Sequence, residues 1–121
     1  MTALRNICML TRYAAWANDC LFEELSVLPA GEALKQRATL FGNMVHTMNH
    51  CYVIDLIWQA HLQGRPHGFT KRNTDVCPPL PELREAQRQM DQCISNTRTD
   101  CRSLPSMRSC SLLSSAAALA P

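Results

Sequence analysis

Long hydrophobic runs are missing from this 121-residue chain. Its longest apolar stretch falls well short of the ~18 residues that a membrane-spanning helix needs. Charge of one sign is missing too. Twelve Lys and Arg against ten Asp and Glu leave a net charge of +2, too balanced for a dedicated nucleic-acid binder or a polybasic membrane-surface protein. There is no CxxC, so a zinc ribbon or a redox pair is unsupported. There is no glycine-rich phosphate loop, no GxSxG, no HExxH, no basic–aromatic patch and no internal repeat. Cysteine, by contrast, is plentiful, with seven residues. That number is odd, and Met1 to Leu10 carries Arg5 and Asn6 inside a short apolar run with no small-residue cleavage pattern. A secreted disulfide framework is therefore not expected, and the sequence predicts a cytoplasmic protein. At 121 residues one domain of ordinary size is expected.

What is present is helical periodicity. Leu4, Ile7, Leu10, Ala14, Ala17, Leu21 and Leu25 recur at helical spacing, in a stripe wide enough to face a core. Thr2 is the expected N-cap. Leu28, Pro29, Ala30 and Gly31 break the pattern, and Gly31 to Arg37 is long enough for a turn or two of helix. A second long helix is expected from about Leu40 to Gln63, capped by Thr39. Phe41, Met44, Val45, Met48, Cys51, Tyr52, Asp55 and Trp58 lie along or beside one of its faces. Gly64 suits a left-handed C-cap, with Pro66 beyond it. Pro66, Gly68, Pro78 and Pro79 make Arg65 to Leu80 a loop. A third helix starts near Pro81, with Glu82 in its first turn and a weaker face of Leu83, Ala86, Met90 and Ile94.

The character changes after about Cys93. Residues 95–121 are rich in Ser, Arg and Ala, with no aromatic residue and no sustained period. Such a segment buries too little surface to offset chain entropy and is expected to be disordered or poorly packed, with a short helix at Leu112 to Leu119 as the one candidate element. The expected architecture is all-α, with a helical domain over 1–94 and an irregular tail over 95–121.

His46 and His50 are four residues apart on the second helix, which puts both imidazoles on one face, about 5–6 Å apart at their Cβ atoms. Such a pair can chelate zinc, nickel or iron, though a third ligand is needed. The alternative is one buried histidine with its hydrogen bond satisfied and one facing solvent. Asp55 can orient a ligand imidazole, or it can pair with a cation. His61 and His67 read as surface residues. Cys8, Cys20 and Cys51 fall on or near helix stripes and read as small apolar residues. Cys77, Cys93, Cys101 and Cys110 fall in loop or tail and read as exposed thiols. A catalytic thiol requires a depressed pKa, for which the sequence offers no sign.

Several segments together resemble the DinB family. Tyr13-Ala14-Ala15-Trp16-Ala17-Asn18 resembles its Tyr-x-x-Trp-Ala-Asn signature. Thr39-Leu40-Phe41-Gly42-Asn43, then Met48-Asn49-His50 and Val53-Ile54-Asp55-Leu56-Ile57-Trp58, resemble its second helix. Gly64-Arg65-Pro66-His67-Gly68-Phe69-Thr70 resembles the loop that follows. The match covers roughly residues 3 to 92. The resemblance implies a four-helix bundle, often a homodimer, and a divalent metal held by three histidines. One of these maps onto His50; the other two belong to a His-x-x-x-His motif on the last long helix. His46 stands where the family usually has a small residue. Trp16, Asn18, Asp55 and Trp58 map onto packing and orienting positions. The activity implied is that of a metal-dependent thiol S-transferase, isomerase or hydrolase acting on a small-molecule or thiol substrate.

The departure from the family is that no histidine follows His67, so the His-x-x-x-His motif is absent and the metal site is expected to be incomplete. Three helices of an up-down four-helix bundle are then expected, truncated or frameshifted at the C-terminal end. The alternative function is a helical self-association or interaction module without catalysis, because three helices leave apolar surface where a fourth would pack. A third reading is an unstable product, since a missing helix removes more than the ~5–15 kcal/mol that separates folded from unfolded states. The tail itself reads like out-of-frame translation: with permissible codons for Cys93 through Leu112, a reading two bases later can give an aromatic, acidic, β-rich segment of the kind the family has there. Sequencing the coding DNA checks this. The expected result is a His-x-x-x-His codon pair downstream in another frame, and an intact frame with unrelated codons would sink the idea.

Overall fold

The computed structural model describes residues 2–99, which form three helices and no strand: α1 (Ala3–Val27), α2 (Met44–Leu62) and α3 (Leu80–Thr99). The all-α expectation holds for these residues. None of the described helices is long and apolar enough to cross a membrane.

Local chemistry sets the helix ends. Thr2 caps α1 as expected, its hydroxyl accepting from the Arg5 N–H at 3.2 Å. α1 stops at Leu28, which precedes Pro29 and is extended (ψ 151°), the region that a following proline ring enforces. The start of α2 corrects the expectation. It begins at Met44 rather than Leu40, and its cap is Asn43 rather than Thr39. Asn43 Oδ1 accepts from the His46 N–H at 2.8 Å. Gly42 explains the shift. Its φ of +84° breaks the helix before Asn43, a conformation open to glycine at little cost. A Cβ there would also meet the Gln36 side chain at 2.8 Å. At the other end Gly64 has φ +66°, its N–H bonds to the His61 carbonyl at 3.1 Å, and the Arg65 N–H bonds to the Ala60 carbonyl at 3.0 Å. That pair of bonds is a Schellman cap, as the sequence predicts.

α3 is the shared partner. It packs extensively on α1 and more slightly on α2, while contact between α1 and α2 is sparse. The core is Phe22 from α1, Val45 and Tyr52 from α2, and Leu83 and Met90 from α3. Ala86 and Ile94 flank it, so the expected face of α3 holds. That helix runs past Ile94 to Thr99, and the compositional change at residue 95 falls inside it. The candidate helix at Leu112–Leu119, with Cys101 and Cys110, lies outside the described residues.

Three expectations fail here. The α1 stripe does not face the core: Leu4, Ile7, Leu10 and Leu21 are each at least half exposed. α1 instead turns Ala15, Asn18 and Phe22 inward, and of the expected stripe only Ala17 and Leu25 are partly buried; its bond from Asn18 to Asp91 of α3 comes from that side. The cysteines also sort differently. Cys20 and Cys51 are exposed rather than packed, whereas Cys93 is buried within α3 rather than placed in loop or tail. Trp16 and Trp58 are both 62% exposed and do not serve as packing residues among the described part of the chain.

Leu83→Ala is expected to cost ~2–5 kcal/mol, because it empties the centre of the three-helix contact. Leu40→Ala, at an 88% exposed position, is expected to stay within ~0.5 kcal/mol. Urea unfolding followed by circular dichroism checks both, and equal effects would contradict this core.

Candidate functional site

Both histidines singled out by spacing face the loop between α2 and α3. His46 Nε2 lies 2.8 Å from the Thr74 carbonyl, and His50 Nδ1 lies 2.6 Å from the Arg72 carbonyl. A carbonyl only accepts, so each ring donates an N–H, but from opposite nitrogens. For neutral His50 the lone pair is then on Nε2. This is the arrangement that commonly prepares a ligating histidine, with Nδ1–H held by a backbone carbonyl. His50 also stacks on Phe41, ring centroids 4.5 Å apart.

The same loop is latched to α2 by buried amides. Asn49, 1% exposed, donates through Nδ2 to Asn73 Oδ1 and to Thr74 Oγ1, each at 2.7 Å. Asn73 Nδ2 in turn donates to the His46 carbonyl at 2.9 Å. The loop is therefore built around the first two turns of α2, and the two imidazoles are part of its fastening. A metal of the implied kind needs three protein ligands. Among the described residues no group of three His, Cys, Asp or Glu side chains is placed to hold an ion. His50 fits as one ligand; a three-histidine set does not fit the described residues.

Among the described residues Asp55 neither orients an imidazole nor meets a cation. Its Oδ2 accepts from Gln87 Nε2 at 2.9 Å, and the same nitrogen donates to Asp91 Oδ1 at 3.0 Å. Asn18 Nδ2 reaches both Asp91 oxygens, at 3.2 and 3.0 Å. Asn18 on α1, Asp55 on α2, and Gln87 and Asp91 on α3 thus form one polar tie across the bundle. Burial pushes both carboxyls above their ordinary range. For Asp55 the Gln87 bond offsets this in part and the Asp91 charge adds to it; for Asp91 the Asn18 and Gln87 bonds offset it. Tyr52, one turn before Asp55, is 1% exposed, and its hydroxyl has no hydrogen-bond partner among the described residues. Its pKa is pushed up to about 12, by burial first and the Asp55 charge second.

Sequence reasoning found Asn18 only through the resemblance, read Asp55 as an orienter of an imidazole or a partner of a cation, and missed Gln87 and Asp91. One signal was available: a glutamine set among Leu83, Ala86, Met90 and Ile94, on the face that packs. His61 is exposed as expected. His67 is partly buried, its Nδ1 accepting from the Phe69 N–H at 3.0 Å. Burial pushes the Cys77 thiol up, away from the thiolate that a nucleophile needs.

The raised carboxyls carry a sign. A folded pKa above the unfolded one means that the ionised form is disfavoured in the fold. The penalty is full above the folded pKa and disappears as pH falls through it towards the unfolded value. Replacing both acids, Asp55→Asn with Asp91→Asn, keeps an oxygen acceptor for Gln87 and removes the charge. The Tm of the parent chain relative to this double variant is expected to rise as pH is lowered from neutral towards the ordinary carboxyl range at about 4. A difference that stays constant, or moves the other way, would show that the carboxyls are not held up by the fold. In comparison with known proteins, the chain matches no family model, no curated protein and no solved structure.

Proposed function

We propose that this chain is a helical self-association module on a DinB-like three-helix scaffold, pairing through α1 with a second copy of itself. One observation carries the reading. Ile7, Leu10, Ala14, Ala17 and Leu21 follow a 3-4-3-4 spacing on α1, the spacing of a coiled-coil seam. That seam is open: Ile7 is 51%, Leu10 59% and Leu21 50% exposed. Contiguous exposed apolar surface of this kind marks interaction sites.

Charge selects the partner and its direction. The first half of α1 carries Arg5 and Arg12 and no acid; the second half carries Asp19, Glu23 and Glu24 and no base. This runs against the helix dipole, which favours acids at the N-terminus and bases at the C-terminus. Arg5, Arg12 and Glu24 make no ion pair among the described residues. An antiparallel second copy brings the basic half of one α1 beside the acidic half of the other and opposes the two dipoles. A parallel copy would set like charges together. In the antiparallel register centred between Ala14 and Ala17, Leu10 meets Leu21 of the second copy, and the two alanines allow close approach. The two-fold pairing is isologous, the usual form of a homodimer.

A DinB-like metal-dependent activity on a thiol or other small molecule is the second reading, favoured by the His50 ring with Nδ1–H held and Nε2 facing away from that bond. The described residues do not complete a metal centre, so no reaction step is assigned to one.

Light scattering of the full chain is expected to give a dimer that survives chelator and thiol reductant, and Leu10→Glu is expected to give a monomer with unchanged helical content. A monomeric parent chain would overturn the association reading. Titration of the same preparation with zinc is expected to show no tight one-to-one site. Tight binding abolished by His50→Ala would favour the metal reading instead.

A further inference from the structure

Away from the α1 seam, on the side where α1 meets α3, lies an open cavity of about 400 Å³. Its size falls in the range of small-molecule sites. Asn18, Gln87 and Asp91 line it, with Asp19 and Arg88 also in the lining and Trp16 forming a wall. The polar tie that joins the helices is therefore also one surface of this cavity. Gln87 is 2% exposed, and its amide is fixed by two bonds, so this surface is pre-organised rather than assembled from loose side chains.

Two features of the cavity point to a ligand. The first is the Asp91 carboxylate. It accepts one bond from Gln87 and two from Asn18, all from neutral amides, and it has no ion pair among the described residues. A carboxylate has about four lone-pair positions. Three are used, and the fourth, on Oδ2, takes no bond from the described residues. A cationic donor would also supply the counter-charge that two amides do not.

The second feature is the balance of the remaining charges. Arg88 stands one turn before Asp91 on α3, about 4.5 Å along the axis, but it does not bond to it. Its guanidinium turns to Asp19 at 3.3 Å and Glu85 at 3.4 Å, across side chains that are each more than half exposed. Exposed pairs of this kind are worth ~0–1 kcal/mol and re-partner readily. Arg84 also belongs to the lining, so two acids and two arginines leave it without net charge. A simple cation or a simple anion meets as much repulsion as attraction there. A molecule carrying both charges a few ångströms apart, in the order that Asp91 and Arg88 present, does not.

We propose that this cavity binds a small zwitterion of the α-amino acid class, its ammonium on Asp91 and its carboxylate on Arg88, with its side chain against Trp16. Asn18 and Gln87 are positioning residues, since they hold the carboxylate that the ammonium reads. The site lies on a different face of α1 from Ile7, Leu10, Ala14, Ala17 and Leu21, so binding does not depend on self-association.

The chain has two tryptophans, and Trp58→Phe leaves Trp16 as the sole reporter. In that background the full chain is titrated separately with leucine, phenylalanine, glutamate and arginine, following Trp16 fluorescence. The expected result is a saturable change with at least one of them. Removing either charge from a binding ligand (for leucine, 3-methylbutylamine and 4-methylpentanoate) is expected to weaken binding about tenfold or more, which is ~1.4 kcal/mol. Asp91→Asn and Arg88→Gln are each expected to do the same with helical content retained. Arg88 is exposed, so its replacement keeps the test informative even if Asp91→Asn unfolds the bundle. Saturation by none of the four amino acids, equal binding of a singly charged analogue, or binding unaffected by Arg88→Gln would each overturn the proposal.

Discussion

Two side-chain amides hold the three helices in their rotational setting. Gln87 Nε2 donates to Asp55 of α2 and to Asp91 of its own helix, and Asn18 of α1 closes on Asp91 from the other side. The apolar core decides that the helices meet, but it is permissive about which faces meet. α2 has apolar residues all round, so burial alone does not choose between rotations about its axis. Hydrogen bonds are directional and lose strength quickly with misalignment, and a buried amide left unmatched costs ~1–3 kcal/mol. The tie therefore selects one rotation of α2 and one of α1. The two carboxyls sit above their usual range because burial has removed more water than two amides replace.

That choice has a visible cost on α1. Turning Asn18 and Phe22 to α3 rotates Ile7, Leu10 and Leu21 away from it, and the helix presents to solvent the very stripe that its sequence makes most regular. The long helix thus has two distinct faces, one polar at its centre and committed to α3, the other apolar and open. The cavity beside the first and the seam along the second share a backbone but no side chains.

Much of the fold was legible because it is local. Thr2, Gly64 and Glu82 act within a turn of where they stand in sequence, and each does what its chemistry predicts. Asn43 was legible too, as the better capping residue following a glycine, but the apolar Leu40 and Phe41 drew the helix start forward. Less legible was anything that depends on a distant partner. The spacing of His46 and His50 is real, yet the rings are taken by carbonyls of Thr74 and Arg72, more than twenty residues downstream. Periodicity shows that α1 has an apolar face without showing what covers it. Gln87 belongs to no motif, and its role exists only once Asp55 has been brought to it by another helix.

The connection from α2 to α3 looks like slack on paper, with its prolines, glycines and exposed charges. Asn49, Asn73 and Thr74 remove that slack. Because Asn73, Thr74 and the Arg72 carbonyl are bonded to the first two turns of α2, the loop cannot lift away while that end of the helix stays closed, and α2 cannot fray from Asn43 without releasing it. Loop and helix end open as one cooperative unit. In kinetic terms the boundary between secondary structure and linker lies after Val76, whose carbonyl closes the latch by accepting from Thr74, and not at Gly64, where the helix stops.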